Sequence, residues 1–69
     1  MSKLFSSRQI ITVLSRNGFS FVSQKGSHVK YRKEGNPTLT VIVPAARKEI
    51  PLGTFRSILR QSALFESDF

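Results

Sequence analysis

The sequence predicts an α+β fold: a helix, three strands and a second helix, with the strands in one antiparallel sheet and both helices on one of its faces. Three observations carry this expectation. "FSSRQIITVLSRNGF" and "LGTFRSILRQSAL" space their apolar residues as helices do, whereas "HVKYRK" between them alternates strictly. The connections between strand candidates are short, which favours an antiparallel meander. Neither helix can bury its apolar stripe alone, and one face of the sheet is the simplest partner for both.

The elements follow in order. Ser6 or Ser7 is placed to cap the first helix by accepting backbone N–H bonds. Ile10, Ile11 and Leu14 form its apolar stripe, with Val13 beside it. Asn17-Gly18 is a stop signal, because Gly18 can take the left-handed conformation after the last turn. "FSFVSQK" reads as a strand with Phe19 and Phe21 on one face, and Lys25-Gly26-Ser27 as a tight turn. In the next strand Val29 and Tyr31 share the face expected to meet the helices, and His28, Lys30 and Arg32 share the other. Glu34-Gly35-Asn36-Pro37 is a second turn. "TLTVIVP" is a third strand, β-branched through its centre and ended by Pro44.

"AARKE" is a loop, and Pro51 suits the first turn of a helix because its missing N–H would be unpaired there. Leu52, Phe55, Ile58, Leu59 and Ala63 build the apolar face of that helix; Arg56 and Arg60 lie on another. "FESDF" either adds one more turn or frays. Val29, Tyr31, Phe55, Ile58 and Leu59 are expected to be buried.

The 69 residues make one small domain, 1–69. The 39% hydrophobic content is enough for folding rather than disorder. Eleven Lys and Arg stand against four Asp and Glu, a net charge of +7. That excess on a small domain implies an anionic partner, nucleic acid first and an acidic protein second. No helix pairs a lysine-rich face with a large exposed apolar one. No apolar run approaches the ~18 residues of a membrane-spanning helix, and "MSKLFSSRQ" has no apolar run of signal-peptide length. A soluble, cytoplasmic protein without a membrane partner is therefore expected.

The same inventory narrows the chemistry. There is no cysteine for a disulfide, a thiolate metal site or a nucleophile. Glu34, Glu49, Glu66 and Asp68 are too scattered for a two-metal nuclease, and no aspartate precedes Asp68 to complete a Ser-His-Asp triad. Gly26 and Gly35 fit no phosphate-cradling fingerprint. One histidine cannot make a zinc site. No metal or cofactor is expected.

The one histidine, His28, follows Gly26-Ser27 and shares its strand face with Lys30 and Arg32. An imidazole takes and gives protons near neutral pH, and cations around it favour the neutral, proton-accepting form. Cations also bind phosphate and stabilise charge that develops on a phosphoryl group. RNA brings its own nucleophile, the 2′-hydroxyl, so a histidine beside a phosphate-binding surface suffices for RNA cleavage without metal. The plainer alternatives are a surface histidine of no special role and lysines that discourage strand-edge aggregation. Tyr31 and the phenylalanines fit the core better than a base-stacking platform.

"RNGFSFVSQKGSHVKYRK", then "TVIVP", then "KEIPLGTFRSILRQSAL" resembles the HicA family of bacterial toxins, mRNA interferases of type II toxin–antitoxin pairs. The likeness runs from about Ser7 to Leu64, and its most specific pieces are Gly26-Ser27-His28 and "IPLGTFRSILRQ". It implies a fold like the double-stranded-RNA-binding domain and metal-independent RNA cleavage with His28 as the catalytic residue. It also implies a HicB-like antitoxin that binds the toxin and blocks its site. Many relatives carry a second histidine shortly after the Val-Pro that ends the third strand; here the segment reads Val43-Pro44-Ala45-Ala46. Lys30, Tyr31 or Lys25 would have to substitute for it, and the sequence does not choose among them.

The expected site therefore has His28 as general base and Lys25, Lys30 and Arg32 as phosphate contacts. Gly26 permits the turn, Ser27 bonds phosphate or orients His28, and Arg47 and Lys48 extend the anion surface. The expected partners are mRNA and the antitoxin, and the free protein is expected to be a monomer. A non-catalytic RNA-binding module of the same fold is the first rival. A basic face that serves only an acidic protein is the second.

Overall fold

The computed structural model describes residues 4–69. Residues 1–3 of the expected domain, the start of "MSKLFSSRQ", lie outside the described residues. The elements are α1 (Ser7–Arg16), β1 (Ser20–Lys25), β2 (His28–Lys33), β3 (Leu39–Pro44), α2 (Leu52–Ser62) and a single 3₁₀ turn, Glu66–Asp68. The sheet runs β1-β2-β3, antiparallel throughout. This is the α+β order expected from the sequence, in the arrangement of a double-stranded-RNA-binding-like fold. No described helix is long and apolar enough to cross a membrane.

Local chemistry accounts for the start and stop of α1. Ser6 is the cap: its Oγ accepts from the Gln9 N–H (3.1 Å), and the Gln9 side chain accepts from the Ser6 N–H (2.9 Å). This reciprocal box satisfies two donors that the helix cannot pair internally. At the other end Gly18 takes φ +91°. The Phe19 N–H then reaches the Leu14 carbonyl (3.0 Å) and the Gly18 N–H reaches the Ser15 carbonyl (3.3 Å). These are the two bonds of a Schellman stop, and Leu14 and Phe19 supply its apolar contact inside the core.

The core lies between the sheet and the helices. Ile10 and Leu14 of α1, Phe55 and Ile58 of α2, and Val41 and Val43 of β3 are buried together with Phe19 and Ile50. Across the sheet Val29 pairs with Val43 and Tyr31 with Val41, so these four share the helix-covered face. Val29, Phe55 and Ile58 are buried as expected. Tyr31 and Leu59 are half-buried and pack on the rim of the core rather than inside it.

Further sequence expectations need correction. Phe65, grouped with the core phenylalanines, is 75% exposed. Lys25 is not a turn residue; it closes β1 opposite His28, and the turn is Gly26-Ser27 alone. Phe21 shares a face with Tyr31, in edge-to-face contact at 6.0 Å, but is 57% exposed, because the helices pack on β3 and leave β1 overhanging. Ala63 does not extend the apolar face of α2. It ends the helix in the left-handed conformation (φ 60°), where glycine is usual, and the buried residue of that last turn is Ser62. Pro51 stands at the cap just before α2 rather than in its first turn.

The loop before α2 also contributes more than its polar composition suggested. Ile50 is fully buried, and its N–H donates to the Phe5 carbonyl at 2.7 Å. The carboxyl end adds one turn rather than fraying: Asp68 accepts from the Phe65 N–H (2.8 Å), and Phe69 packs on Phe55 and Phe5 with ring centres 5.2 and 6.0 Å away.

Candidate nucleic-acid interface

The open face of the sheet is built from the hairpin outward. Gly26 has φ +59° and Ser27 does not share the positive sign, the pattern of a two-residue type II′ turn led by glycine. The Gln24 side-chain amide donates to the Gly26 carbonyl (3.1 Å) and braces the turn. His28 is the first residue of β2 and pairs with Lys25 on one side and Pro44 on the other. It is exposed, as the parity of β2 requires, while Val29 beside it is buried.

Directly opposed residues share a sheet face. Lys30 pairs with Ser23 and Ile42, and Arg32 with Ser20 and Thr40. Lys25, His28, Lys30 and Arg32 therefore occupy the face away from the helices, with short or uncharged neighbours between them. A bulge in β1 between Phe21 and Ser23 makes this possible. Without the extra residue, Lys25 would keep the parity of Phe21 and turn toward the helix side. With it, Lys25 stands directly across from His28, a separation of about 4.5–5.5 Å between Cβ atoms.

Arg47 and Lys48 are exposed in the loop after β3, beyond the rows of the open face. Ser7 fixes this loop. Buried to 3% exposure, its Oγ donates to the Pro44 carbonyl and accepts from the Arg47 N–H (2.9 Å), and its own N–H donates to the Arg47 carbonyl (2.9 Å). The loop is tied to the Gly26-Ser27 turn as well, since the Ala45 N–H donates to the Ser27 carbonyl at 2.7 Å. Between these anchors Ala46 is held at φ 55°, a conformation that costs a non-glycine residue about 1–2 kcal/mol.

Ser7→Ala is expected to lower stability by about 1–3 kcal/mol, because it leaves the Arg47 N–H and the Pro44 carbonyl without their partner in a partly buried site. Denaturant unfolding measures the loss, and amide exchange at Arg47 locates it. Wild-type protection of that amide in Ser7→Ala would show that the loop does not depend on the serine.

The predicted residues thus fall into two groups: Lys25, His28, Lys30 and Arg32 on the open face, and Arg47 and Lys48 in the loop at its end. Gly26 and Ser27 join them through the turn. Of the three possible substitutes for a second histidine, Tyr31 lies on the helix face with Val41, whereas Lys25 and Lys30 lie on the face of His28. Sequence reasoning passed over Arg8, which lines a cavity with Arg47 and Lys48. The available signal was its position: a cation in the first turn of a helix, with no acidic residue there, opposes the helix dipole. Among the described residues no three His, Cys, Asp or Glu side chains gather in one place, so the donor set of a metal ion is not assembled.

A comparison with curated proteins finds no match. The family model described as HicA toxin of bacterial toxin-antitoxin matches residues 7–64, a span that takes in every element from α1 to α2.

Proposed function

The chain belongs to the HicA family of toxins from bacterial toxin–antitoxin systems, and on that premise we propose that it is a metal-independent endoribonuclease that cleaves mRNA, with His28 as its general base. The observation that carries this reading is the placement of His28: exposed at the end of the open sheet face, directly opposite Lys25, with Lys30 and Arg32 in line behind it. The imidazole takes the proton of a ribose 2′-hydroxyl. The 2′-oxygen attacks the adjacent phosphorus, and the bond from phosphorus to the 5′-oxygen breaks. The products are a 2′,3′-cyclic phosphate and a 5′-hydroxyl, once the departing oxygen has taken a proton.

Lys25 and Lys30 are the ammonium groups of this face that meet the charge developing on the phosphate and supply that last proton. Arg32, Arg47 and Lys48 hold neighbouring phosphates, and these contacts position the strand without reading its sequence. Gly26 sets the turn, and Ser27 orients His28 or bonds phosphate. The protein acts as a single domain, monomeric when free, in the cytoplasm. Its HicB-like antitoxin covers the open face with acidic side chains, complementary to Lys25, Lys30 and Arg32 on a +7 chain.

The test is incubation of the purified protein with end-labelled RNA in excess EDTA, with the new ends identified. Fragments that carry 2′,3′-cyclic phosphate and 5′-hydroxyl are expected. RNA that is bound but never shortened would leave a binding module of the same fold, and 3′-hydroxyl ends would refute the 2′-hydroxyl as nucleophile.

A further inference from the structure

We propose that the cavity at the start of α1 is a second phosphate subsite, in which Arg8, Arg47 and Lys48 hold a backbone phosphate of the RNA strand whose scissile phosphate lies at His28. The proposal rests on the ribonuclease reading above and gives the strand a path: off the open sheet face, over the Ala45–Lys48 loop and onto the first turn of α1.

The cavity measures about 530 Å³ and brings together cations from two separate elements, Arg8 from α1 and Arg47 and Lys48 from the loop, with no carboxylate in its lining. Three like charges around one cavity repel each other, and that repulsion is relieved when an anion sits between them. Arg8 stands in the first turn against the dipole of its own helix, where there is no acidic residue. Arginine presents a planar fork of donors that matches phosphate oxygens.

The cavity is also built rather than incidental. Ser7 bonds the loop to α1 through both its hydroxyl and its backbone, so the backbones at Arg8 and Arg47 are held in fixed relation. The same loop meets the catalytic turn through Ala45 and Ser27, and Pro44 pairs with His28. Two residues separate Pro44 from Arg47, three steps or at most about 11 Å of chain. The loop cations thus follow closely on the strand residue that pairs with His28, and Arg8 lines the same cavity as they do.

The probe is a fluorescein-labelled single-stranded RNA 12-mer of mixed sequence, bound to the 69-residue chain with His28→Ala so that the RNA survives. Fluorescence anisotropy over a salt series gives Kd and its salt slope. Added to that background, Arg8→Ala is expected to raise Kd about 3–10-fold and to flatten the slope by about 0.7, the value of one single-strand phosphate contact. Arg16→Ala, at the exposed far end of the same helix, should change neither. Circular dichroism confirms that each variant is folded.

A folded Arg8→Ala protein with the Kd and slope of its parent would overturn the subsite. So would a loss confined to binding of the antitoxin, or a parent that binds no RNA at low salt. Cleavage by the protein that retains His28 is scored separately. If it cuts RNA while Arg8→Ala binds normally, the nuclease stands and the subsite falls. If it binds RNA through Arg8 but never cuts, the subsite stands and the nuclease falls.

Discussion

Replacing His28 with alanine is expected to lower RNA cleavage by about 10²–10⁴-fold, the usual contribution of a positioned proton acceptor, in a protein that stays folded. The fold should survive because His28 is exposed and lies outside the hydrophobic core. RNA binding should change little, since Lys25, Lys30 and Arg32 remain on the same face and phosphate contacts supply most of the affinity. The loss should thus appear in kcat and not in Kd. Single-turnover cleavage, anisotropy and circular dichroism measure the three quantities. In cells, expression of the wild-type toxin without its antitoxin should arrest growth and that of His28→Ala should not. A folded variant that cuts at the wild-type rate would remove the imidazole from the mechanism.

Leu14→Ala is expected to take away most of the stability. Leu14 is fully buried, packs among Ile10, Phe19, Val41 and Ile58, and holds the carboxyl end of α1 through its carbonyl bond to the Phe19 N–H. Leucine-to-alanine changes at such sites cost about 2.7–5.0 kcal/mol, because the cavity left behind closes only in part. A domain of this size has roughly 3–10 kcal/mol in total. The melting temperature should fall by about 15–30 °C, at 4–8 °C for each kcal/mol in a small domain. Leu52→Ala, at a position 39% exposed, should cost far less. Equal melting temperatures for Leu14→Ala and Leu52→Ala would mean that the core does not lie between α1 and the sheet.

The two expectations concern opposite faces of the same sheet, and that separation has a functional use. The helix face carries the stability through Val29, Val41 and Val43. The open face carries Lys25, Lys30 and Arg32 beside His28. Residues of the open face can therefore change with the substrate or the antitoxin at little expense to folding, as long as their helix-face neighbours stay apolar.

Sequence by itself determined what depends on period and on local bonding. The alternation of "HVKYRK" set Val29 toward the helices and His28 away from them, because successive side chains in a strand leave on opposite faces. A serine cap at Ser6 or Ser7, of which the structure uses Ser6, the stop at Gly18 and the apolar faces around Leu14 and Ile58 follow from neighbours within a turn or two. The identity of His28 as the residue to test was legible for the same reason, and the resemblance of the Gly-Ser-His turn to a toxin family added to it.

Tertiary structure decided whatever depends on residues distant in the chain. The bulge in β1 placed Lys25 across from His28, and nothing in "FSFVSQK" announces the extra residue, because a bulge answers to how the strand meets its neighbour. Phe21 reads as a core residue from its type, and only the packing of both helices on β3 leaves it exposed. Ile50 and Ser7 look like loop and cap residues. They became core and anchor because chain folding brought Phe5, Pro44 and Arg47 against them from 37 to 45 positions away. Arg8 met Arg47 and Lys48 by the same route. Periodicity reports how a residue is oriented within its own element, whereas a site assembled from separate elements exists only once loops have closed and paid their entropy.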